Sequence, residues 1–271
     1  MKIIDLTEEH EPLYFVCLED WSEEMKEAAN HKELWYRAIR EKGLRVKLAL
    51  DDSGRVGGMI EYLPIEHSFA EGSGLYFINC IWVHGHRKGR GNFQKKGMGQ
   101  ALLRAAEEDV RARGAKGLVA WGISLPFWMR ASWFKKHGYQ KVDADKGLVL
   151  LWKPFVQDAN PPGWMKQGPS PELIPGKVRI TSFLNGQCPA MNLVHERARR
   201  AALEFANHVE FQTICTRSKE VMMTYGQKDA LYINSLRLRP GPPISYKRIR
   251  SKIRRQVKKI ESWVSMGVIA I

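Results

Sequence analysis

The decapeptide Gln94-Lys95-Lys96-Gly97-Met98-Gly99-Gln100-Ala101-Leu102-Leu103 has the residue types and spacing to hold a pyrophosphate. Glycines let a backbone approach an anion closely, and the first N–H groups of a helix point outward unpaired. The lysines add positive charge. An apolar run over residues 75–83 precedes the loop, and an amphipathic pattern ending near Gly114 follows it. Strand, basic glycine loop and helix start together predict a cradle for a phosphate-bearing ligand. Two other glycine chemistries fit less well. A dinucleotide fingerprint needs a third glycine where Leu102 stands. A P-loop needs Gly-Lys-Ser/Thr, and Gly97 is followed by Met98.

The elements that must position this loop can be read from hydrophobic periodicity and turn signals. Strands are predicted over residues 2–6, 45–50, 56–63, 75–83, 118–122 and 148–152. Asp51-Asp52-Ser53-Gly54 makes a hairpin turn between the second and third of these. Residues 8–41 read as mostly helical with a break near Asn30-His31. Residues 100–113 form a helix with Leu102, Ala106 and Val110 on one stripe, and residues 126–137 a helix stopped by Gly138. Six prolines then fall between Pro154 and Lys177, with Gly163, Gly168 and Gly176 among them. Such a stretch is a linker or an ordered extended crossover. Beyond it a second α/β pattern begins: strand 177–183, helix 190–207, strand 209–216, short helix 218–225, two short strands within 230–239, and a final helix 246–260. The expected organisation is a first domain over 1–155, a proline-rich linker over 156–176 and a basic domain over 177–271.

The chain has 271 residues, 44% of them hydrophobic, which is enough for two ordinary cores. Its net charge of +14 is uneven. Residues 1–158 carry 24 basic and 22 acidic side chains, whereas residues 159–271 carry 19 and 7. The excess points to an anionic partner for the C-terminal part. Cys17, Cys80, Cys188 and Cys215 form no Cys-x-x-Cys pair, so neither a zinc finger nor a disulfide framework is expected, and no metal site is predicted. The sequence contains no run of eighteen apolar residues and opens without a signal-peptide pattern. The expectation is a cytoplasmic protein with no membrane partner.

The motif Gln94-x-x-Gly97-x-Gly99, the order of elements around it, and the later helix Ala131-Ser132-Trp133-Phe134-Lys135-Lys136-His137-Gly138-Tyr139 resemble the GNAT acyltransferase superfamily over about residues 1–155. The resemblance implies a mixed-sheet α/β (α+β) domain that binds acetyl-CoA or another acyl-CoA. Backbone amides of Lys96, Gly97, Met98, Gly99 and Gln100, beside Gln94 and Lys95, would hold the pyrophosphate. The backbone of Ile81, Trp82 and Val83 would pair with the pantetheine arm like an added strand. The chain departs from the family twice. An insertion, residues 84–93, brings Arg87, Lys88, Arg90, His84 and His86 beside the motif, to clamp donor phosphates or to meet an anionic acceptor. The tyrosine acid that many members carry four residues before the Gly-aromatic pair is Phe134 here, which leaves proximity and orientation as the main source of rate.

Glu61 lies where family members often place a base acting through water, and His84 at the end of the donor strand offers an imidazole as a base or substrate contact. Cys80 and His137 are further candidates, read as packing and as a helix C-terminus. Trp82, Trp121, Trp128 and Trp133 could shape an apolar acceptor pocket.

Residues 177–260 resemble a small thioredoxin-like domain. Gly186-Gln187-Cys188-Pro189-Ala190-Met191 leads into a long helix, where a thiol would have a lowered pKa. The second cysteine of a redox pair is Met191, and the family's cis-proline position is Asp229. Fusion of the two domains resembles the YoaP-like group of acyltransferases. The last helix has an apolar stripe of Tyr246, Ile249, Ile253, Val257 and Ile260. Its other face carries Lys247, Arg248, Arg250, Lys252, Arg254, Arg255, Lys258 and Lys259, which fit a phosphate-rich or acidic partner. Three readings follow. The first is an acyl-CoA-dependent N-acyltransferase acting on a small-molecule or carrier-bound amine. The second is a transferase using an aminoacyl transfer RNA, or an acyl carrier protein, bound through the basic domain. The third is a non-catalytic or monothiol redox binding protein.

Overall fold

The computed structural model describes residues 1–125, 128–239 and 242–265. The chain opens with strand β1 (Lys2–Asp5), helix α1 (Glu11–Phe15), helix α2 (Glu23–Lys26) and helix α3 (His31–Ile39). It continues through β2 (Arg45–Leu50), β3 (Val56–Pro64), β4 (Ala70–Glu71), β5 (Tyr76–Val83), α4 (Met98–Ala112), β6 (Gly117–Ile123), α5 (Ala131–Lys136), β7 (Gln140–Asp145), β8 (Leu148–Pro154) and β9 (Gly163–Trp164). The last third holds β10 (Val178–Leu184), α6 (Pro189–Leu203), β11 (Val209–Cys215), α7 (Lys219–Tyr225), β12 (Ala230–Ile233), β13 (Leu236–Arg237) and α8 (Tyr246–Ser265). Two compact units result: residues 1–22 with 36–166, and residues 23–35 with 167–271.

The first unit is built on a seven-stranded sheet in the order β1-β2-β3-β5-β6-β8-β7. All neighbours are antiparallel except β5 and β6. The β2–β3 turn forms as its residues dictate. Asp51 accepts from Ser53 N, Ser53 Oγ and Arg55 N, while Gly54 takes φ +80°. The hydrogen bonds, led by the Ser53 hydroxyl, hold the Asp51 carboxyl well below its usual range. Helix α4 buries Leu102, Ala106 and Val110, the predicted stripe, and adds Met98 and Leu103. Tyr62 Oη donates to Asp109 Oδ2 at 2.9 Å, tying α4 to β3.

Residues 8–41 form short helices with the predicted break just before His31, at 27–30, and a further break at 16–22; among the described residues the predicted helix over 126–137 is confined to Ala131–Lys136. Pro126 and Phe127, where that helix was expected to begin, lie outside the described residues. The proline-rich stretch contributes a strand of its own, since β9 pairs with β4.

The second unit has a four-stranded sheet in the order β11-β10-β12-β13. Strands β10 and β11 are parallel, β12 runs antiparallel to β10, and β13 antiparallel to β12. Its main core joins Val178, Ile180, Leu231 and Ile233 of the sheet to Val194, Ala198 and Ala201 of α6. Helix α8 adds Ile249, Ile253, Val257 and Ile260, the predicted apolar stripe, to the same core. Among the described residues no helix is long and apolar enough to cross a membrane.

Candidate active site

Strands β5 and β6 pair only at Tyr76↔Leu118 and Phe77↔Val119. Beyond that point β6 continues with β8, and β5 continues with β3. The two strands therefore part, and from Ile78 onward β5 has no strand partner on its β6 side. The register of β3 with β5 slips between Glu61↔Cys80 and Tyr62↔Ile78, which leaves Asn79 as the extra residue of a bulge. A bulge of this kind bends a strand and re-aims its groups. Trp121 on β6 donates from Nε1 to the Asn79 carbonyl at 2.9 Å, so one side chain bridges the parting strands. Ile81, Trp82 and Val83 are half-buried along this edge.

At the far end of β5 the chain reaches α4. Lys95 and Gly97 both take left-handed φ, 61° and 81°, and turn the loop into the helix. Ala101 N–H donates to the Gly97 carbonyl at 3.0 Å. Among the described residues the N–H groups of Met98, Gly99 and Gln100 meet no acceptor. A Cβ added at Gly97 would meet nothing within 4 Å, and one at Gly99 would lie 3.5 Å from Trp133 Cζ2 and 3.7 Å from Val83 Cγ2. Internal packing therefore does not demand a glycine at 99, and the lining is open. Gln94, Lys95, Lys96, Gly97 and Gln100 are exposed, Gly99 is half-buried, and Met98 is buried as an anchor in the core. Phe93 is a second anchor, since a Cβ at Gly57 would overlap its ring at 2.4 Å.

The insertion is a held structure. His84 is fully buried. Its Nδ1 lies 2.7 Å from the Gly91 carbonyl and its Nε2 accepts from Trp21 Nε1 at 3.1 Å. With Glu19 Oε2 3.9 Å from the same Nε2, both ring nitrogens are engaged inside the protein, and the Trp21 N–H takes the lone pair a base would use. The geometry makes His84 a pin for the loop, which corrects its expected role as base. Arg90 is half-buried and held: its Nε donates to the Val56 carbonyl and its Nη1 pairs with Asp20, both at 2.9 Å. It is thereby separated from Arg87 and Lys88, which stay exposed. Trp21 and Asp20 could not be linked to this site from spacing, because they lie about sixty residues earlier.

Glu61 is fully buried and accepts from Tyr14 Oη at 2.7 Å. Burial first, and then the Glu61 charge, push the Tyr14 hydroxyl well above its usual pKa, so tyrosine remains the donor. In register Glu61 stands opposite Cys80, beside the bulge. Phe134 is fully buried, with its ring edge-on to Trp133 at 5.0 Å and to Tyr139 at 5.5 Å. It is a core residue with no polar group to offer. Trp121 meets Trp128 edge-on at 5.3 Å and Phe69 at 6.0 Å, and Phe69 stacks on Trp164 at 5.6 Å. All four rings are half-buried. Trp164 Nε1 is enclosed and, among the described residues, meets no acceptor.

In the second unit Cys188 caps α6, but burial pushes its thiol above the ordinary value, with Lys228 opposing. The lowered pKa expected from the helix terminus is therefore overturned by desolvation. Asp229, at the expected proline position, accepts from Asn185 N at 3.1 Å. On α8, Arg250 pairs with Glu204 at 2.5 Å. Arg254, Arg255, Lys258 and Lys259 are exposed and, among the described residues, make no ion pair. On the same unit His195 is buried, which pushes its pKa down to about 4.

The profile of the acetyltransferase (GNAT) family matches residues 3–139. The protein described as "Uncharacterized N-acetyltransferase YoaP" of Bacillus subtilis is 26% identical over 229 residues, covering 81% of this chain and 84% of that protein. Among solved structures, the PaiA N-acetyltransferase of Thermoplasma acidophilum in complex with coenzyme A is 18% identical, with 57% of this chain and all of that chain covered at a TM-score of 0.42. The N-acetyltransferase YhbS of Escherichia coli in complex with CoA is 14% identical, with 58% and 82% covered at a TM-score of 0.42.

Proposed function

The chain belongs to the acetyltransferase (GNAT) family, and on that premise we propose that it moves an acyl group from an acyl-CoA to an amine on a small-molecule or carrier-bound acceptor. One observation carries this reading: unpaired amides at the start of α4 lie next to an open edge of β5. The residues present fit such a donor. The two glycines leave the lining of the cradle free, and Lys95 and Lys96 are exposed beside it. The amides of residues 96–100 would hold the phosphates by the helix-terminus field. The β5 edge at Ile81, Trp82 and Val83 would take an extended arm as an added strand. When bound, acyl-CoA supplies an acyl group activated as a thioester.

The acceptor must lose a proton to become a nucleophile. We assign that base to Glu61, oriented by Tyr14 and set beside the bulge. Phe134 supplies no acid, so this chain contributes binding, orientation and a base. The half-buried rings of Phe69, Trp121, Trp128 and Trp164 favour an acceptor with an apolar body. The test is release of free thiol from acetyl-CoA in the presence of a panel of aliphatic and aromatic amines. Amine-dependent release supports the reading; no release with any amine, despite intact folding, counts against it.

A second reading is favoured by the unpaired cations of α8. The second unit would bind the phosphates of a transfer RNA, or an acidic carrier protein, and bring the acyl or acceptor group with it. Its strand order, with one parallel pair and an antiparallel pair following, supports a thioredoxin-like fold adapted to this purpose. The match of 229 residues to the Bacillus protein is longer than the first unit and accords with a fusion kept as a whole. Gel shift with transfer RNA, lost when Arg254, Arg255, Lys258 and Lys259 are neutralised, would support it, and a wild-type protein that binds no RNA at low salt would exclude the RNA form. A monothiol role for Cys188 is not favoured, because its thiol is held in the neutral form.

A further inference from the structure

We propose that His31, His195 and Glu196 form a binding site in the second unit for a borderline divalent cation such as zinc. No spacing in the sequence points to it, because His31 begins α3 and the other two residues are consecutive on α6. The fold brings His31 Nε2 to 2.9 Å from Glu196 Oε1, and His195 Nε2 to 3.9 Å from the same oxygen. One ligand atom from each residue lies within 4.8 Å of the others. Nitrogen and oxygen ligands about 2.0–2.2 Å from a tetrahedral zinc are separated from one another by about 3.3–3.6 Å. These two separations bracket that range and the third is no longer than 4.8 Å, so side-chain shifts of up to about an ångström convert the cluster into a ligand set.

The hydrogen bond between His31 and Glu196 explains two members of the cluster but not the third. His195 is 5% exposed, and among the described residues its Nε2 has no hydrogen-bond partner although it is turned toward the carboxylate. Its other nitrogen is occupied, because Ser182 Oγ lies 2.8 Å from Nδ1. A polar contact on one ring nitrogen that aims the other is the usual support of a metal-binding histidine. Glu196 is held in a similar way: Arg199 takes Oε2 through Nε at 3.0 Å and Nη2 at 2.9 Å, leaving Oε1 toward the imidazoles. The two imidazole rings stand at 89° with centroids 5.4 Å apart, which lets both nitrogens converge. The side chains of His31 and Glu196 keep 17% and 13% exposure, so a cation can enter from solvent. Two imidazoles and one carboxylate select zinc-like cations over magnesium or calcium, which take oxygen ligands. With three protein ligands, water completes the coordination. Occupancy would staple the segment of residues 23–35 to α6.

The test uses the full chain, freed of metal with a chelator and dialysed against zinc chloride, with bound metal measured by atomic emission. Cobalt is used as the spectroscopic probe. The expected result is one equivalent of zinc and a visible cobalt spectrum of four-coordinate nitrogen and oxygen ligation. Binding should fall at least 100-fold in His31→Asn and in Glu196→Gln, and by roughly 10- to 100-fold in Ser182→Ala, where only the supporting contact is lost. Unchanged acetyl-CoA affinity and far-ultraviolet dichroism identify variants that remain folded. The proposal is overturned by no saturable zinc in the wild-type protein, by undiminished stoichiometry in the folded variants, by equal magnesium binding, or by cobalt–thiolate bands that assign the metal to cysteine.

Discussion

Gly99 separates the demands of the fold from the demands of the ligand. It lies in the first turn of α4, and a Cβ there would make only ordinary contacts, 3.5 Å to Trp133 and 3.7 Å to Val83. Replacing a helical glycine with alanine where space allows stabilises by about 0.5–1 kcal/mol, which for a chain of this size raises the melting temperature by roughly 1–4 °C. Gly99→Ala should therefore be more stable than wild type and bind acetyl-CoA nearly as well. Gly99→Leu keeps a good helix former but sends a larger side chain into the cradle. An overpacking cost of about 1–3 kcal/mol, felt only when donor is bound, weakens affinity roughly 5- to 150-fold. Gly97 is the contrast. Its φ of 81° makes Gly97→Ala destabilising by about 1–2 kcal/mol. Thermal unfolding and calorimetric titration of the three variants measure both quantities. Gly99→Leu with wild-type donor affinity would refute the placement of the donor, and a Gly99→Ala less stable than wild type would refute the reading of the lining.

Three more outcomes follow from the same geometry. Phe134→Tyr puts a hydroxyl into a fully buried site and should cost about 1–3 kcal/mol of stability without raising turnover; a gain in kcat would show that the hydroxyl reaches the reaction after all. Glu61→Gln still accepts from Tyr14, so it should leave donor affinity unchanged and lower kcat by roughly 10²- to 10⁴-fold, and an unchanged kcat removes Glu61 as base. For Asp109, burial opposes ionisation, but hydrogen bonds from Arg113 and Tyr62 outweigh it and hold the carboxyl below its usual value. A depressed carboxyl contributes stability that is full above the unfolded value of about 3.9 and is lost as pH falls through the folded value. Asp109→Asn should thus be about 1–2 kcal/mol less stable at pH 7. In urea melts the gap should close on acidification below pH 4, and a pH-independent gap would contradict the assignment.

The parts of the site that were legible in the sequence are those whose cause is local. The Asp51–Gly54 turn, the α4 stripe, the Gln94-x-x-Gly97-x-Gly99 loop and the apolar face of α8 each depend on residues within one or two turns of one another. What stayed hidden depends on long-range register. The Asn79 bulge exists only because β3 and β5 slip by one residue, and the strands part only because β6 turns to β8. The Tyr14–Glu61 and Trp21–His84 pairs join segments 47 and 63 residues apart, so spacing alone does not show that His84 is a loop anchor. Cys188 shows the limit of a local rule, since the helix terminus favours the thiolate but burial decides the outcome. Strand β7 leaves no periodic signal because its sequence, Gln-Lys-Val-Asp-Ala-Asp, carries few apolar residues; it is an edge strand paired on one side to β8.

The cradle at the start of α4 is the proposed donor site. Titration of acetyl-CoA into the full chain by calorimetry tests it most directly. Saturable one-to-one binding is expected, weakened roughly 5- to 150-fold in Gly99→Leu and kept in Gly99→Ala. Absence of binding at millimolar acetyl-CoA, in protein shown to be folded, would contradict it.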